Sequence, residues 1–584
     1  MMQKKIRIVL IFFMGFSVWA QAQEEETIGT ETVTVTKAYT PTISDAFKLK
    51  STPSLNDSIV LRKKEIEYNI FSVPVASTFT PAKGKAATVE KTPPPVLFNS
   101  YASVGLGNYN NALVDFYTSR SFNRGEDLLD VGFNHHSSRG EIDGTALDNI
   151  FYNTKLESSY AKKDSDYDWG VNLGLQHQLY NWYGIPDGAF DDATIDGIDE
   201  RQNYYKAQAG AHVNMEDSFF KRGELLLRRF WDGVESGENR AVLSPTIELP
   251  LTEELVTIKA KLDYVGGTFE NANLANEANI PGIDYSYFQA GVNPSILILR
   301  DDLTLNLGAN FVYGMDMENS DGNFFIYPTV TASYRLVEDD VIAYGGIEGE
   351  LKQNSYYSFV EENPYVSPTL SIVPTDQQYD AYIGLKGQLF SNVSYNIKGS
   401  YMAENRKPLF KLNPTNLFRT DEKGYYYGNS FELFYDDVRT LGIFGELNVD
   451  VNRNFSLGVN AEVYEYDTET DNPAWNLPNI KGTLFMDYQI GEEWFMGLNL
   501  FYVGEREDFT TVFVQNTAPE NFPAAIVALD SYFDANAHIG YRFNEQLSIF
   551  AKAANIANNN YNRWANYPVQ GFQILGGATY KFDF

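Results

Sequence analysis

Residues 303–316 read LTLNLGANFVYGMD, and their side-chain character changes at every step. Leu303, Leu305, Leu307, Ala309, Phe311, Tyr313 and Met315 fall on one face of an extended chain. Thr304, Asn306, Gly308, Asn310 and Asp316 fall on the other. Successive side chains of a strand point to opposite faces, so this period of two specifies a strand with one apolar and one polar side. Residues 455–466 repeat it: Phe455, Leu457, Val459, Ala461 and Val463 oppose Ser456, Gly458, Asn460, Glu462 and Tyr464.

The pattern runs from about residue 98 to the end of the chain. A soluble sandwich also alternates, but the connections here sort into two classes. Short polar ones fall at 123–125, 300–302, 391, 452–454, 491–493 and 544–546. Long ones fall at 185–202, 267–285, 361–377, 409–438, 467–479, 507–531 and 557–569. They alternate along the chain, as the periplasmic turns and extracellular loops of an outer-membrane barrel do. Strands are expected to begin in pairs near 98 and 112, 126 and 148, 167 and 204, 222 and 240, 254 and 286, and 303 and 323. The remaining pairs begin near 341 and 378, 392 and 439, 455 and 480, 494 and 532, and 547 and 570. The predicted fold is all-β: a closed, transmembrane antiparallel barrel of about 22 strands with both ends periplasmic. Closure pairs every backbone group, which is what a sheet inside lipid requires.

Composition agrees. Aromatics make up 15 % of the chain, with 39 Tyr, 40 Phe and 44 Gly, yet the mean hydropathy is only −0.31. Aromatic girdles and one apolar face, balanced by a polar interior, reconcile these values. The net charge of −32 leaves no basic patch to meet phosphates and argues against a nucleic-acid partner. With no Cys, disulfides and thiolate metal sites are excluded.

Residues 1–22 read as a signal peptide. Lys4, Lys5 and Arg7 form the positive end, Ile8 to Val18 the apolar run, and Ala20-Gln21-Ala22 a small-residue cleavage site. No Cys follows, so no lipid anchor is expected there, and outer-membrane lipid is met by the barrel alone.

The last fifty or so residues carry a resemblance. Asn555-Ile556 followed by Tyr561, then Tyr567-Pro568, Gly571 and the ending Gly577-Ala578-Thr579-Tyr580-Lys581-Phe582 resemble the final strands of TonB-dependent receptors, particularly those of Bacteroidota. Family members often carry Arg where Phe572 stands here. Tyr580, Phe582 and the terminal Phe584 share the apolar face and resemble the signal read by the barrel-assembly machinery. Near the other end, Glu31-Thr32-Val33-Thr34-Val35-Thr36-Lys37 resembles a TonB box. Such a box adds as a strand to the energiser TonB through main-chain bonds, so its sequence demands are loose, and a chance Val/Thr alternation in a tail reads the same way.

The departure follows the box. The family has a plug of well over a hundred residues; here about 57 separate Pro41 from Phe98, and 80–96 has the Pro, Lys and Ala of a linker. The expected organisation is therefore signal peptide 1–22, a periplasmic segment 23–97 with a truncated plug, and barrel 98–584. A 22-strand lumen is wide, so this segment is expected to fill it incompletely. The isolated protein is then expected to conduct ions or to depend on a partner to stay closed.

Candidate sites are few. His135, His136, His177, His212 and His538 are scattered, with no Ser-His-Asp spacing, so no catalytic residues are assigned and an enzyme is not expected. The loop IPDGAFDDATIDGIDERQ holds Asp192, Asp196 and Asp199 in half of a Ca²⁺-loop spacing. Thr194 and Asn203 occupy ligand positions that want oxygen anions, which favours a solvated acidic loop over bound calcium. Val512, Phe513, Val514, Phe522 and Ile526 are apolar in a loop expected to face water, as is the run Tyr425-Tyr426-Tyr427 in another. Exposed apolar patches mark contact surfaces; the alternative is packing over the barrel mouth. Two functions compete on this reading. One is ligand passage across the outer membrane. The other is a structural subunit of a larger outer-membrane complex, with partner proteins on its loops.

Overall fold

The computed structural model describes residues 97–584, apart from 141, 252–253, 271–281, 416–422 and 512–522. Lys85–Phe584 forms one compact unit. The strip at 31–37 and the rest of 23–96 lie outside the described residues.

Twenty-two antiparallel strands form one sheet, each pairing with its neighbour in the chain. The first, Ser100–Gly107, pairs with the last, Gln573–Phe582, and the sheet closes on itself. Every strand start expected from the alternation has its strand. The largest offsets are at Phe431, expected near 439, and at Tyr532 and Gln573, which fall close to their expected starts. The strand Val393–Leu412 is 20 residues long and its partner Phe431–Asn452 is 22. Their cross-strand bonds continue to Leu412↔Phe431, so the loop between them is shorter than the sequence pattern suggested.

Facing follows the alternation. In the strand Leu303–Asp316, Leu307, Phe311 and Tyr313 are exposed on the outer wall while Val312 is buried inside. In Phe455–Thr468, Val459 and Val463 are exposed and Gly458 is buried. Elsewhere on the outer wall Ile383 reaches 74 % exposure and Leu173 60 %, the values expected of side chains that meet lipid.

The inner wall is packed by rings lying over glycines. A Cβ on Gly540 would come within 2.0 Å of the Phe495 ring on the adjacent strand, and one on Gly458 within 2.0 Å of the Phe485 ring. Only a residue without Cβ lets the ring lie flat on the backbone there.

The two ends of the barrel differ. At one, strands are joined by two to four residues, as at Asn123–Gly125, where Asn123 and Arg124 take positive φ. At the other stand the long connections, with a helix Tyr356–Glu362, a short helix Asp192–Ile195 and two small hairpins. One hairpin pairs Arg506–Thr511 with Ala524–Leu529, and the other pairs Asn562–Trp564 with Tyr567–Pro568. Among the described residues no helix is long and apolar enough to cross a membrane.

Candidate functional site: a lid built by loops across the barrel mouth

Toward the loop end the inner wall changes character. Tyr204, Phe230, Val265, Phe269 and Tyr285, on five neighbouring strands, are all buried and form an apolar shelf. The helix Tyr356–Glu362 lies on it. Ser355 starts the helix with a capping box, its hydroxyl accepting from the Ser358 amide at 3.1 Å and its amide donating to the Ser358 hydroxyl at 3.2 Å. Tyr356 is fully buried, with ring contacts to Phe230 at 5.1 Å and Phe269 at 4.9 Å.

Buried charges hold this helix in place. The Tyr356 hydroxyl donates to Asp232 at 2.8 Å. The Tyr356 amide, one of the first-turn N–H groups that no helix satisfies internally, donates to Glu238. Glu238 also accepts from the Tyr285 hydroxyl at 2.9 Å and faces Arg228 at 3.6 Å. Beside it, Arg240 makes a two-pronged pair with Asp263 at 2.9 and 2.7 Å, and Lys261 joins at 3.0 Å. Glu238 and Asp263 have no exposed side-chain surface. Removing one partner of such a set leaves an uncompensated buried charge, so the network specifies where the helix sits.

Loops from distant strands then lock together over this shelf. The loop at 182–200 joins the fifth and sixth strands; the one at 413–430 joins the fifteenth and sixteenth, ten strand positions away in a ring of 22. They touch directly. Trp182 packs edge-on against Tyr425 at 5.1 Å, the Asn429 side-chain amide donates to the Trp182 carbonyl at 2.5 Å, and Asp199 bridges to Lys423 through the backbone. The final loop, 555–572, enters the same core. Tyr567 stacks on Tyr365 at 3.8 Å, meets Tyr183 at 4.8 Å and donates to the Asn429 carbonyl. Tyr183 donates to the Pro568 carbonyl at 2.9 Å and Tyr204 to the Pro364 carbonyl at 2.8 Å. Burial pushes the phenols of Tyr183 and Tyr567 well above their ordinary value, so both stay neutral donors.

A second layer is fixed by Asp508 on the outer hairpin. It is fully buried and accepts from the Leu412 amide at 2.9 Å and the Asn476 side chain at 2.8 Å, joining three loops. Burial, opposed by these bonds, pushes its carboxyl up to about 6. Arg506 on the same strand donates to the Asn562 carbonyl at 2.8 Å, tying the hairpin to the final loop. Between these two loops lies a cavity of about 570 Å³ lined by Tyr532, Tyr561 and several Asn side chains.

The residues singled out in the sequence divide as follows. Tyr425, Tyr426 and Tyr427 are at most 6 % exposed and belong to the lid core. This corrects their reading as an exposed aromatic surface: their rings are used up in packing across the mouth. Ile526 is 57 % exposed on the outer hairpin; Val512, Phe513, Val514 and Phe522 lie outside the described residues. Asp192 begins the short helix, Asp196 ends it and Asp199 makes the bridge to Lys423. The described residues hold no group of three or more acidic or His side chains arranged for a metal, so the three carboxylates are not gathered. Tyr580, Phe582 and Phe584 follow one another along the outer wall, with ring separations of 6.0 and 5.8 Å. Sequence reasoning missed the lid anchors Glu238, Tyr356 and Tyr365. A signal existed: aromatic residues such as Tyr204 and Phe230 stand at inward positions where the alternation elsewhere places polar ones.

No family model matches the chain, and no curated protein matches it. Solved structures do. The pyoverdine outer-membrane receptor FpvA from Pseudomonas aeruginosa, bound to pyoverdine, aligns with a TM-score of 0.60 at 12 % identity, over 84 % of this chain and 79 % of that one. The siderophore receptor PirA from Acinetobacter baumannii aligns with 0.60 at 12 % identity, over 83 % and 80 %. The ferric enterobactin receptor PfeA from Pseudomonas aeruginosa, as a double mutant, gives 0.57 at 12 % identity, over 83 % and 80 %. At this identity the likeness is one of architecture, and this chain has the barrel fold of outer-membrane receptors.

Proposed function

We propose that this chain is a non-enzymatic outer-membrane barrel that admits a ligand from its loop end, with passage controlled by the loop lid. The observation that carries this reading is the buried core in which loops from nearly opposite strands interlock, Trp182 with Tyr425 and Tyr365 with Tyr567. In a barrel of 22 strands, such a core stands in the way of free passage at the mouth, so entry requires the loops to part. The solved receptors that share the fold support the uptake class, and the wide apolar outer wall supports the outer membrane as its place. Residues 1–22 serve as the signal peptide, and the short turns and both termini face the periplasm. Residues 31–37 offer a strand to TonB, and Tyr580, Phe582 and Phe584 serve the barrel-assembly machinery. Nucleic acid has no part.

A second reading rests on the same lid. A mouth so firmly bridged also suits a structural or accessory subunit that lends its barrel and loops to a larger complex. Purification from detergent-solubilised outer membranes separates the two. A lone barrel whose loops gain protease sensitivity on adding ligand supports passage. A stable assembly with stoichiometric partners, and loops indifferent to ligand, supports the subunit.

A further inference from the structure

On the outer wall, five rings on five adjacent strands form a continuous row. His135 meets Tyr152 at 6.3 Å, Tyr152 meets His177 at 5.0 Å, His177 stacks on Tyr205 at 4.5 Å, and Tyr205 stacks on Trp231 at 5.4 Å. The strand register places all five on the outward face. Two residues toward the turns from His177 and four from Trp231 stand exposed leucines, Leu175 at 54 % and Leu227 at 47 %. The row thus lies at the loop-side boundary of the apolar wall, the level at which amphipathic rings meet lipid headgroups.

The row ends in a guanidinium. Trp231 pairs across the sheet with Gly237, and the Arg229 guanidinium lies in the space a Cβ would fill, 2.5 Å from its ideal position. Arg201, four residues from Tyr205 on the same face of its strand, is exposed as well. Neither arginine has an ion-pair partner among the described residues, whereas Arg139, beyond His135, faces Asp148 at 3.7 Å. In a chain of net charge −32, two unpaired arginines beside a ring row at headgroup level stand out from their surroundings.

We propose that this sector of the wall binds the phosphate of an anionic lipid headgroup, with Arg201 and Arg229 as its charged contacts and the ring row as the platform beside it. Guanidinium groups hold phosphate through paired N–H donors, and rings at the boundary fix the depth of the headgroup. The inference rests on the membrane-spanning reading of the barrel.

The test uses the full-length protein in mixed micelles with lipid A, bisphosphorylated or dephosphorylated, and native mass spectrometry to count retained lipid. The wild type is expected to retain the phosphorylated form about tenfold better. Arg201→Gln with Arg229→Gln should bring the two forms to parity. Arg300→Gln, at the turn end, should keep the preference. Heat-modifiability on gels checks that each variant folds, and nanodisc insertion checks the membrane reading separately. No preference in an inserted wild type, an undiminished preference in the double variant, or lipid-independent pairing of two copies through this wall would overturn the proposal.

Discussion

Single residues decide which side of the wall is which. Ile539 is exposed on the outer face and its neighbour His538 turns inward over Gly497. Ile539→Arg should cost about 2–4 kcal/mol near the bilayer midplane, while His538→Arg is tolerated inside. Heat-modifiability after refolding in graded urea measures both, and equal tolerance would mean a one-residue slip in register. Asp508 makes a pH prediction. Its carboxyl is raised from 3.8 to about 6 by burial, so the folded lid binds the proton more tightly than the unfolded loop. Its contribution is fully present below pH 3.8 and is lost as pH rises through about 6. Amide exchange at Leu412 and Phe509 should therefore slow between pH 7 and pH 5, after correction for intrinsic rates. Asp508→Asn should remove that dependence; the same slowing in the variant would assign it to another group.

At the scale of elements, strands were legible and the lid was not. A period of two is a local signal, and it marked every barrel strand because each wall residue answers to only two environments, lipid and lumen. The segments 303–316 and 455–466 carried that signal in full. The lid obeys no period. Its core is assembled from loops far apart in sequence, and Tyr425-Tyr426-Tyr427 reads identically whether it meets water or, as here, Trp182 and Phe190. What the residues did show, aromatic side chains at inward strand ends, becomes meaningful only once those ends are known to converge. The helix Tyr356–Glu362 is the element on which convergence depends. Tyr356→Ala removes its ring contacts and leaves Asp232 short of a donor, a change of about 3–5 kcal/mol in the lid. Hydrogen exchange should rise across 353–374 while the barrel keeps its heat-modifiability. Unchanged exchange there would show that the helix is held by something other than this anchor.

For the whole molecule, the loops alter the expectation of an under-plugged pore. The short segment before the barrel led to a protein that conducts or leans on a partner; the interlocked loops provide a barrier at the mouth whatever that segment does. The direct measurement is single-channel conductance in planar bilayers for the purified full-length protein and for a variant in which 353–374 is replaced by a short Gly-Ser turn. The account predicts that the wild type stays closed and the variant opens in large, long-lived steps. A wild type that conducts freely, or a variant that stays as closed as the wild type, would contradict the claim that the loops close the barrel.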